Sequence, residues 1–484
     1  MRMQNGSIFQ GPCATTRRDF LRRTGAGFGT LGLAGLLAEE KLLTRGHASL
    51  ADPLSPKQPH FPAKAKNVIF LFMYGGPSHV DMFDYKPALE KYKGKKTSEF
   101  DIKNLKEARS QGTLMPSYYK FARHGQSGQW VSEVYPNVAS VIDDFSVIRS
   151  GWAESTNHGP ALFQMNTGFT RVGFPSVGSW VTYGLGSHNR DMPGFVVMYD
   201  HRGGPIGGPQ NWGSGFLPST YQAMPMRSKG IPILNLKRPD KISTEQQRQQ
   251  IDLMKKLNHD HANHLPGEPD LEARIESFEL AFRMQTAAPQ LMDLSGETEA
   301  TKIRYGIESG KRTSYFGTQC LMARRMVEKG VRFVQLYSGG AHGDANWDAH
   351  GDIRKNHDKH CYDTDKPIAG LITDLKERGM LEETLIVWAG EFGRTPHATG
   401  KGRDHHPYGY TALMAGGGIK PGVAYGETDE IGYHAAVDRA SVHDIHATIL
   451  HQLGINHKRL TYDHNGRNFR LTDVHGEPIK ALIS

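Results

Sequence analysis

Five short apolar runs constrain this chain more than any other feature. They are Asn67–Tyr74 (NVIFLFMY), Phe145–Arg149 (FSVIR), Phe195–Tyr199 (FVVMY), Val331–Tyr337 (VRFVQLY) and Leu385–Ala389 (LIVWA). Each is rich in β-branched and aromatic residues and too short for a globular helix. Strands that read as near-continuous apolar runs are buried on both faces, the pattern of a parallel sheet covered by helices on either side. Helical spacing appears between them: Phe174–Leu185, with Trp180 in the core; Asp363–Arg378, with Ile368, Leu371, Ile372 and Leu375 on one face; and Val442–Leu453. Alternating strand and helix predicts an α/β fold with a mostly parallel central sheet. Thr411–Ala415, followed by Gly416–Gly418, reads as a further strand and turn. A helical block at about 241–329 (Ile242–Asn263, Pro269–Ala287, Gly317–Lys329) reads as an insertion, with Met254 and Leu257 as core residues. Residues 86–130 are polar and read as a surface excursion.

The ends of these strands carry the chemistry. In open α/β sheets, ligands bind beyond the carboxyl ends of the strands. Leu385–Ala389 stops at Gly390, delivers Glu391, and continues through Phe392, Gly393 and Arg394 into a Gly-rich loop with Arg403, Asp404, His405 and His406. Asn67–Tyr74 breaks into Gly75-Gly76 and presents Ser78, His79, Asp81 and Asp84. Val331–Tyr337 is followed by Asp344, Asp348 and His350. Phe145–Arg149 opens into Ser155, Thr156, Asn157 and His158 before a helix starting near Pro160. Helix capping also accounts for Ser155, Thr156 or Asn157, and a Gly-Pro turn with a capped helix accounts for Ser78 and Asp84. Carboxylate, imidazole and guanidinium groups on adjacent connections suit a metal-assisted hydrolase site.

Composition excludes some classes. The chain has 484 residues and a formal net charge of +8. Residues 1–49 hold seven basic residues (Arg2, Arg17, Arg18, Arg22, Arg23, Lys41, Arg45) against three acidic ones (Asp19, Glu39, Glu40), half of that excess. The remainder is only mildly basic, so nucleic-acid binding is not implied, while a basic patch for anionic substrates is allowed. No apolar run approaches the roughly 20 residues of a transmembrane helix. Three cysteines (Cys13, Cys320, Cys361) make no disulfide scaffold. Thr16-Arg17-Arg18-Asp19-Phe20-Leu21-Arg22, followed by the Gly/Ala-rich stretch Gly25–Ala38, resembles a twin-arginine export signal. Residues 1–50 are therefore set aside as signal and linker, with Ala48 a candidate cleavage point, and residues 51–66 read as linker. The chemistry sits in 51–484. The export signal implies the Tat translocation machinery as partner and a periplasmic or extracellular location.

Taken together, FLFMYGGPSHVDMFDYKP, NHGPALFQMNTG, NWDAHGD, GEFGRTP, GRDHHPYGYTALMAGGGIKPG and VHDIHATILHQLGI resemble a Tat-exported, sulfatase-like domain-of-unknown-function family of the alkaline phosphatase-like superfamily. The resemblance covers residues 67 to about 475. It implies an alkaline phosphatase-like three-layer α/β sandwich with a helical insertion. It also places Glu391 on a metal-binding Asp of sulfatases, with Phe392 replacing the adjacent ligand. His158-Gly159-Pro160 and Thr167-Gly168 lie over the formylglycine motif, with His158 at the nucleophile position and Leu162 replacing its Arg. Gly75 and Gly76 stand where a pair of Asp residues is expected. A formylglycine mechanism therefore does not carry over.

The resulting expectation is a metal site built from His79, Asp81, Asp348, His350, Glu391, His405 and His406. Such mixed ligands suit zinc, manganese or iron better than calcium. His158, Ser155 or Thr156 would be nucleophile or general acid/base, and Arg394 or Arg403 would stabilise the charge of an anionic substrate, a small molecule or a polysaccharide. The implied activity is hydrolysis of sulfate or phosphate esters. The alternative is a non-catalytic protein of the same fold that binds anionic glycans or other anionic ligands.

Overall fold

The computed structural model describes residues 53–100, 112–234, 236–264 and 269–484. The twin-arginine segment and Cys13 lie outside the described residues. Eleven strands matter for the site: β1 (Asn67–Met73), β2 (Phe145–Trp152), β3 (Phe195–Met198), β4 (Met224–Pro225), β5 (Phe333–Ser338), β6 (Thr384–Ala389), β7 (Gly393–Thr399), β8 (Gly402–His406), β9 (Tyr410–Ala415), β10 (Ala424–Tyr425) and β11 (Ala440–Ser441). Nine of them form one sheet in the order β10-β2-β9-β6-β1-β5-β3-β4, with β11 pairing β2. Around β1 the pairing is parallel, with β5 on one side and β6 on the other. Only β9 runs antiparallel to its neighbours β2 and β6.

The apolar runs become strands for the reason their sequence suggests. All seven residues of β1 are buried, and its side chains alternate between two cores. Ile69, Leu71 and Met73 face one; Val68, Phe70 and Phe72 face the other. Removing each such side chain from water contributes on the order of 2 kcal/mol. One face of the sheet is covered by α3 (Thr313–Glu328) and α4 (Ile353–Glu377). The other is covered by α1 (His158–Thr167), α2 (Val177–Leu185) and α5 (Val442–Gln452). The fold is a mixed α/β sandwich with a mainly parallel central sheet.

Four local expectations change. Helix α4 starts at Ile353, ten residues before the predicted start, because Asp352 caps it by accepting from the Lys355 backbone N–H at 3.0 Å. Of the helical block, α3 is a layer of the sandwich: Cys320, Leu321 and Met322 share a core with Ile69 and Leu71. Met254 and Leu257, expected in the core, are exposed on the helix Thr244–His264. Residues 53–66, read as linker, are pinned to the domain, with Lys57 N–H donating to Leu185 and Lys64 N–H to Gln452 (both 2.9 Å). Cys320 and Cys361 are buried and unpaired.

Candidate metal centre

The site is assembled where four connections meet: the turn before α1, the loop after β5, the segment joining β6 to β7, and β8. The stretch after β6, expected as a loop, is the hairpin β7–β8. A strictly alternating strand would send Asp404 and His405 to opposite faces. The β7–β8 register shifts between Arg403 and His405. This irregularity accompanies the approach of both side chains to His350, a common use of such features beside functional sites.

Asp348 is the hub. Its Oδ1 lies 3.1 Å from His405 Nε2, 3.1 Å from His350 Nε2 and 2.8 Å from Arg394 Nη2; its Oδ2 lies 3.4 Å from His158 Nε2. Burial works against its charge, but hydrogen bonds from His158 and His350 and the Arg394 guanidinium outweigh it and hold the carboxyl far below the usual aspartate range. His158 donates from Nδ1 to Glu391 Oε1 at 2.6 Å. Both Glu391 oxygens also accept from Gly75 N–H (3.0 and 3.1 Å). Glu391 thus stands behind His158 and orients it, as carboxylates stand behind metal-binding imidazoles.

Gly75 is needed for this arrangement. Its φ is +115°, and a Cβ there would lie 2.6 Å from the backbone nitrogens of Trp347 and Asp348. The Gly pair at the first strand end therefore lets the Asp348 loop close onto the sheet, tied by Trp347 N–H to the Tyr74 carbonyl at 2.9 Å. Phe392 packs against His158 (5.0 Å between centroids) and His405 (4.8 Å), forming an apolar wall beside them.

The donor set fits a divalent ion on three counts. First, His405 Nδ1 donates to the Thr156 carbonyl at 2.9 Å, and burial pushes its pKa down to about 3. The ring is neutral, and its Nε2 turns a lone pair toward His350 Nε2, 2.9 Å away, and the Asp348 carboxylate, a place a metal ion can take from the His350 proton. Second, three carboxyl groups (Asp348, Glu391, Asp404) face one guanidinium (Arg394) in a largely buried setting; burial opposes a proton on His158, but Asp348 and Glu391 outweigh it and raise the ring's pKa, and a metal ion can take the place of that proton. Third, ligand atoms of His158, Asp348 and His405 lie within 4.8 Å of one another, as do those of His350, Asp404 and His405. Access is through Asp348 and His350, whose side chains are 19% and 34% exposed, against 6% for His405.

Residues 65–483 match the family described as "Protein of unknown function (DUF1501)". The chain belongs to this family. No curated protein matches it. Solved structures similar to it include Ps i-CgsB in complex with k-i-k-neocarrahexaose (11% identity, TM-score 0.36, 85% of this chain and 75% of that one). A TAB5 alkaline phosphatase mutant with Mg bound matches at 11% identity and TM-score 0.36 (82% and 100%). PsFucS1 sulfatase from Pseudoalteromonas sp. matches at 13% identity and TM-score 0.33 (82% and 68%).

Of the residues singled out from the sequence, His158, Asp348, His350, Glu391, Arg394 and His405 come together. Others are committed elsewhere. Asp81 and Arg403 form a fully buried ion pair at 2.6 Å, and Asp81 also accepts from Ser78 Oγ at 2.5 Å. His79 donates from Nε2 to the Gly432 carbonyl at 2.8 Å, and His406 to the Tyr433 carbonyl. Burial lowers the pKa of both rings. In these positions His79, Asp81, Arg403 and His406 serve the hairpin's anchorage, and none of them belongs to either cluster of converging ligand atoms. Arg394, expected to meet substrate, is fully buried: it donates to the Gly75 and Gly76 carbonyls and pairs with Asp348. Ser155 Oγ accepts from Asn157 N–H at 3.1 Å, closing the turn before α1. Thr156 contributes its carbonyl to His405. Asp404 was absent from the expected ligand set. Its signal was its place beside His405, and the register shift that brings both to His350 is not readable in sequence.

Proposed function

We propose that this chain is a metal-dependent hydrolase of sulfate or phosphate esters, exported by the twin-arginine route to the periplasm or beyond. The observation that carries the reading is the convergence of His158, His350 and His405 on the Asp348 carboxylate, at 3.4, 3.1 and 3.1 Å. His158, Asp348 and His405 would hold the ion, with His350 at the open side and the buried Asp404 behind it. A zinc, manganese or iron ion there would supply a Lewis acid for the ester oxygens. The protein's own part is positional. Glu391 fixes the His158 tautomer, the Thr156 carbonyl fixes that of His405, and Arg394 holds Asp348 and the first strand end in one frame. Phe392 excludes water from the inner side of the rings. Because Ser155 Oγ is engaged in its own turn, water is the nucleophile in this reading: its oxygen joins sulfur or phosphorus, and the ester oxygen leaves as the alcohol. The export element rests on the motif at Thr16–Arg22.

A second reading, a non-catalytic protein binding anionic ligands, is favoured by one observation: Arg394 and Arg403 are both saturated by protein partners. The experiment that separates the two readings assays the purified, metal-loaded chain against aryl sulfate, phosphate monoester and phosphate diester substrates. Turnover abolished by His405→Ala supports the hydrolase. A stoichiometrically loaded protein with no turnover on any of the three establishes the second reading.

A further inference from the structure

A cavity of about 1030 Å3 opens beside the loop that carries Asp348. The two share backbone. Lys359, on its wall, donates to the Asp344 carbonyl, Asp200 accepts from Gly339 N–H at 3.2 Å, and Gly203 backs onto Gly340. The cavity's acidic residues are already matched. Asp200 pairs with Arg202, Asp363 with Arg312 at 2.8 Å, and Glu308 with Lys366 at 3.1 Å. Four further cations on the wall, Arg227, Lys229, Lys311 and Lys359, have no ion-pair partner among the described residues. Burial, with Arg202 beside it, depresses the Lys359 ammonium, and the neighbouring Asp363 and Asp344 charges do not make up the difference. Unmatched charge of one sign in a concave site concentrates field and draws in the opposite charge. Tyr199, Tyr315, Ser309 and Ser314 also line the cavity.

We propose that this cavity binds an acidic oligosaccharide, seating the charged groups that flank the ester presented to Asp348 and His405. The inference deepens the hydrolase reading and rests on it for the identity of the reacting group; the binding site itself rests on its own charge. Its volume matches the upper end of ordinary ligand pockets. A polynucleotide would instead call for cations in a groove that tracks its backbone, whereas these four line one cavity.

The test titrates the full chain with three probes: a sulfated hexasaccharide prepared from heparin, a neutral hexasaccharide from dextran, and oligothymidylate. The triple variant Arg227→Glu/Lys229→Glu/Lys311→Glu is expected to weaken the sulfated probe by about tenfold or more, since each exposed charge contributes only a fraction of that. The neutral probe is expected to show no binding. The proposal is overturned by equal binding in wild type and triple variant, by equal binding of the neutral probe, or by tighter binding of oligothymidylate. If the triple variant melts early, the wild type decides: loss of the sulfated probe at high salt supports the site and salt-independent binding overturns it. Turnover of a small aryl ester is expected to survive the triple variant. A chain that binds the sulfated probe through these cations yet turns over no small ester keeps this inference and loses the hydrolase reading.

Discussion

Asp81→Asn separates a structural role from a metal-binding one. Asp81 and Arg403 are both fully buried and lie 2.6 Å apart. Burial opposes the Asp81 charge, but Arg403 outweighs it and lowers the carboxyl below the usual aspartate range. The stability from this pair is therefore fully present above about pH 4 and is lost only as pH falls through the lowered value. The substitution would leave the Arg403 guanidinium buried beside a neutral amide. Breaking a buried pair from one side costs about 3–5 kcal/mol. The domain spans Pro53–Ser484; at about 2.1 cal/mol/K per residue its unfolding entropy is about 0.9 kcal/mol/K. The expected Tm drop is then about 3–6 °C, read by calorimetry alongside metal content. An unchanged Tm with metal lost would refute the assignment and restore Asp81 as a ligand.

Other perturbations probe the rest of the frame. Glu391→Gln removes the carboxylate behind His158 and is expected to weaken metal affinity about 10–100-fold in a chelator competition; unchanged affinity would contradict its orienting role. Gly76→Ala places a methyl 2.6 Å from the Phe392 ring at a φ of +79°, so a loss of about 2 kcal/mol or more is expected in urea unfolding, and a neutral result would contradict the packing. His446 is buried, donates to the Met165 carbonyl at 2.9 Å, and is pushed by burial down to about 3. Its stabilising contribution is full above about pH 6.5 and is lost as pH falls toward 3. His446→Asn is expected to flatten the stability-versus-pH slope between these limits by about 1.4 kcal/mol per pH unit; an unaltered slope would show that His446 does not titrate with unfolding.

The fold was legible because it is written in a local signal. Runs such as NVIFLFMY are apolar on both sides only when a sheet is covered on both sides, and β1 divides its residues between two cores in that way. The convergence of Asp348, His350 and His405 was legible as ligand-type residues at strand ends. What was not legible is how each side chain spends its bonds. His405 and His406 are neighbours in sequence, yet one faces Asp348 and the other the Tyr433 carbonyl. Arg394 and Arg403 look alike as anion binders, but both are buried at the ends of carbonyl and carboxylate networks. Glu391 matched a ligand position by resemblance, and the Gly75 N–H and His158 occupy its oxygens. These outcomes depend on long-range approach and on the β7–β8 irregularity, which residue types and spacing do not encode.

The central claim is that His158, Asp348 and His405 form a cation site, and metal titration tests it most directly. Chelator-stripped protein is titrated with zinc, manganese and ferrous ions, and bound metal is counted against protein. The account predicts stoichiometric binding by wild type and by Asp81→Asn, and loss of binding in His405→Ala at unchanged fold. Binding that survives His405→Ala, or a wild-type chain that takes up none of the three ions, would contradict it.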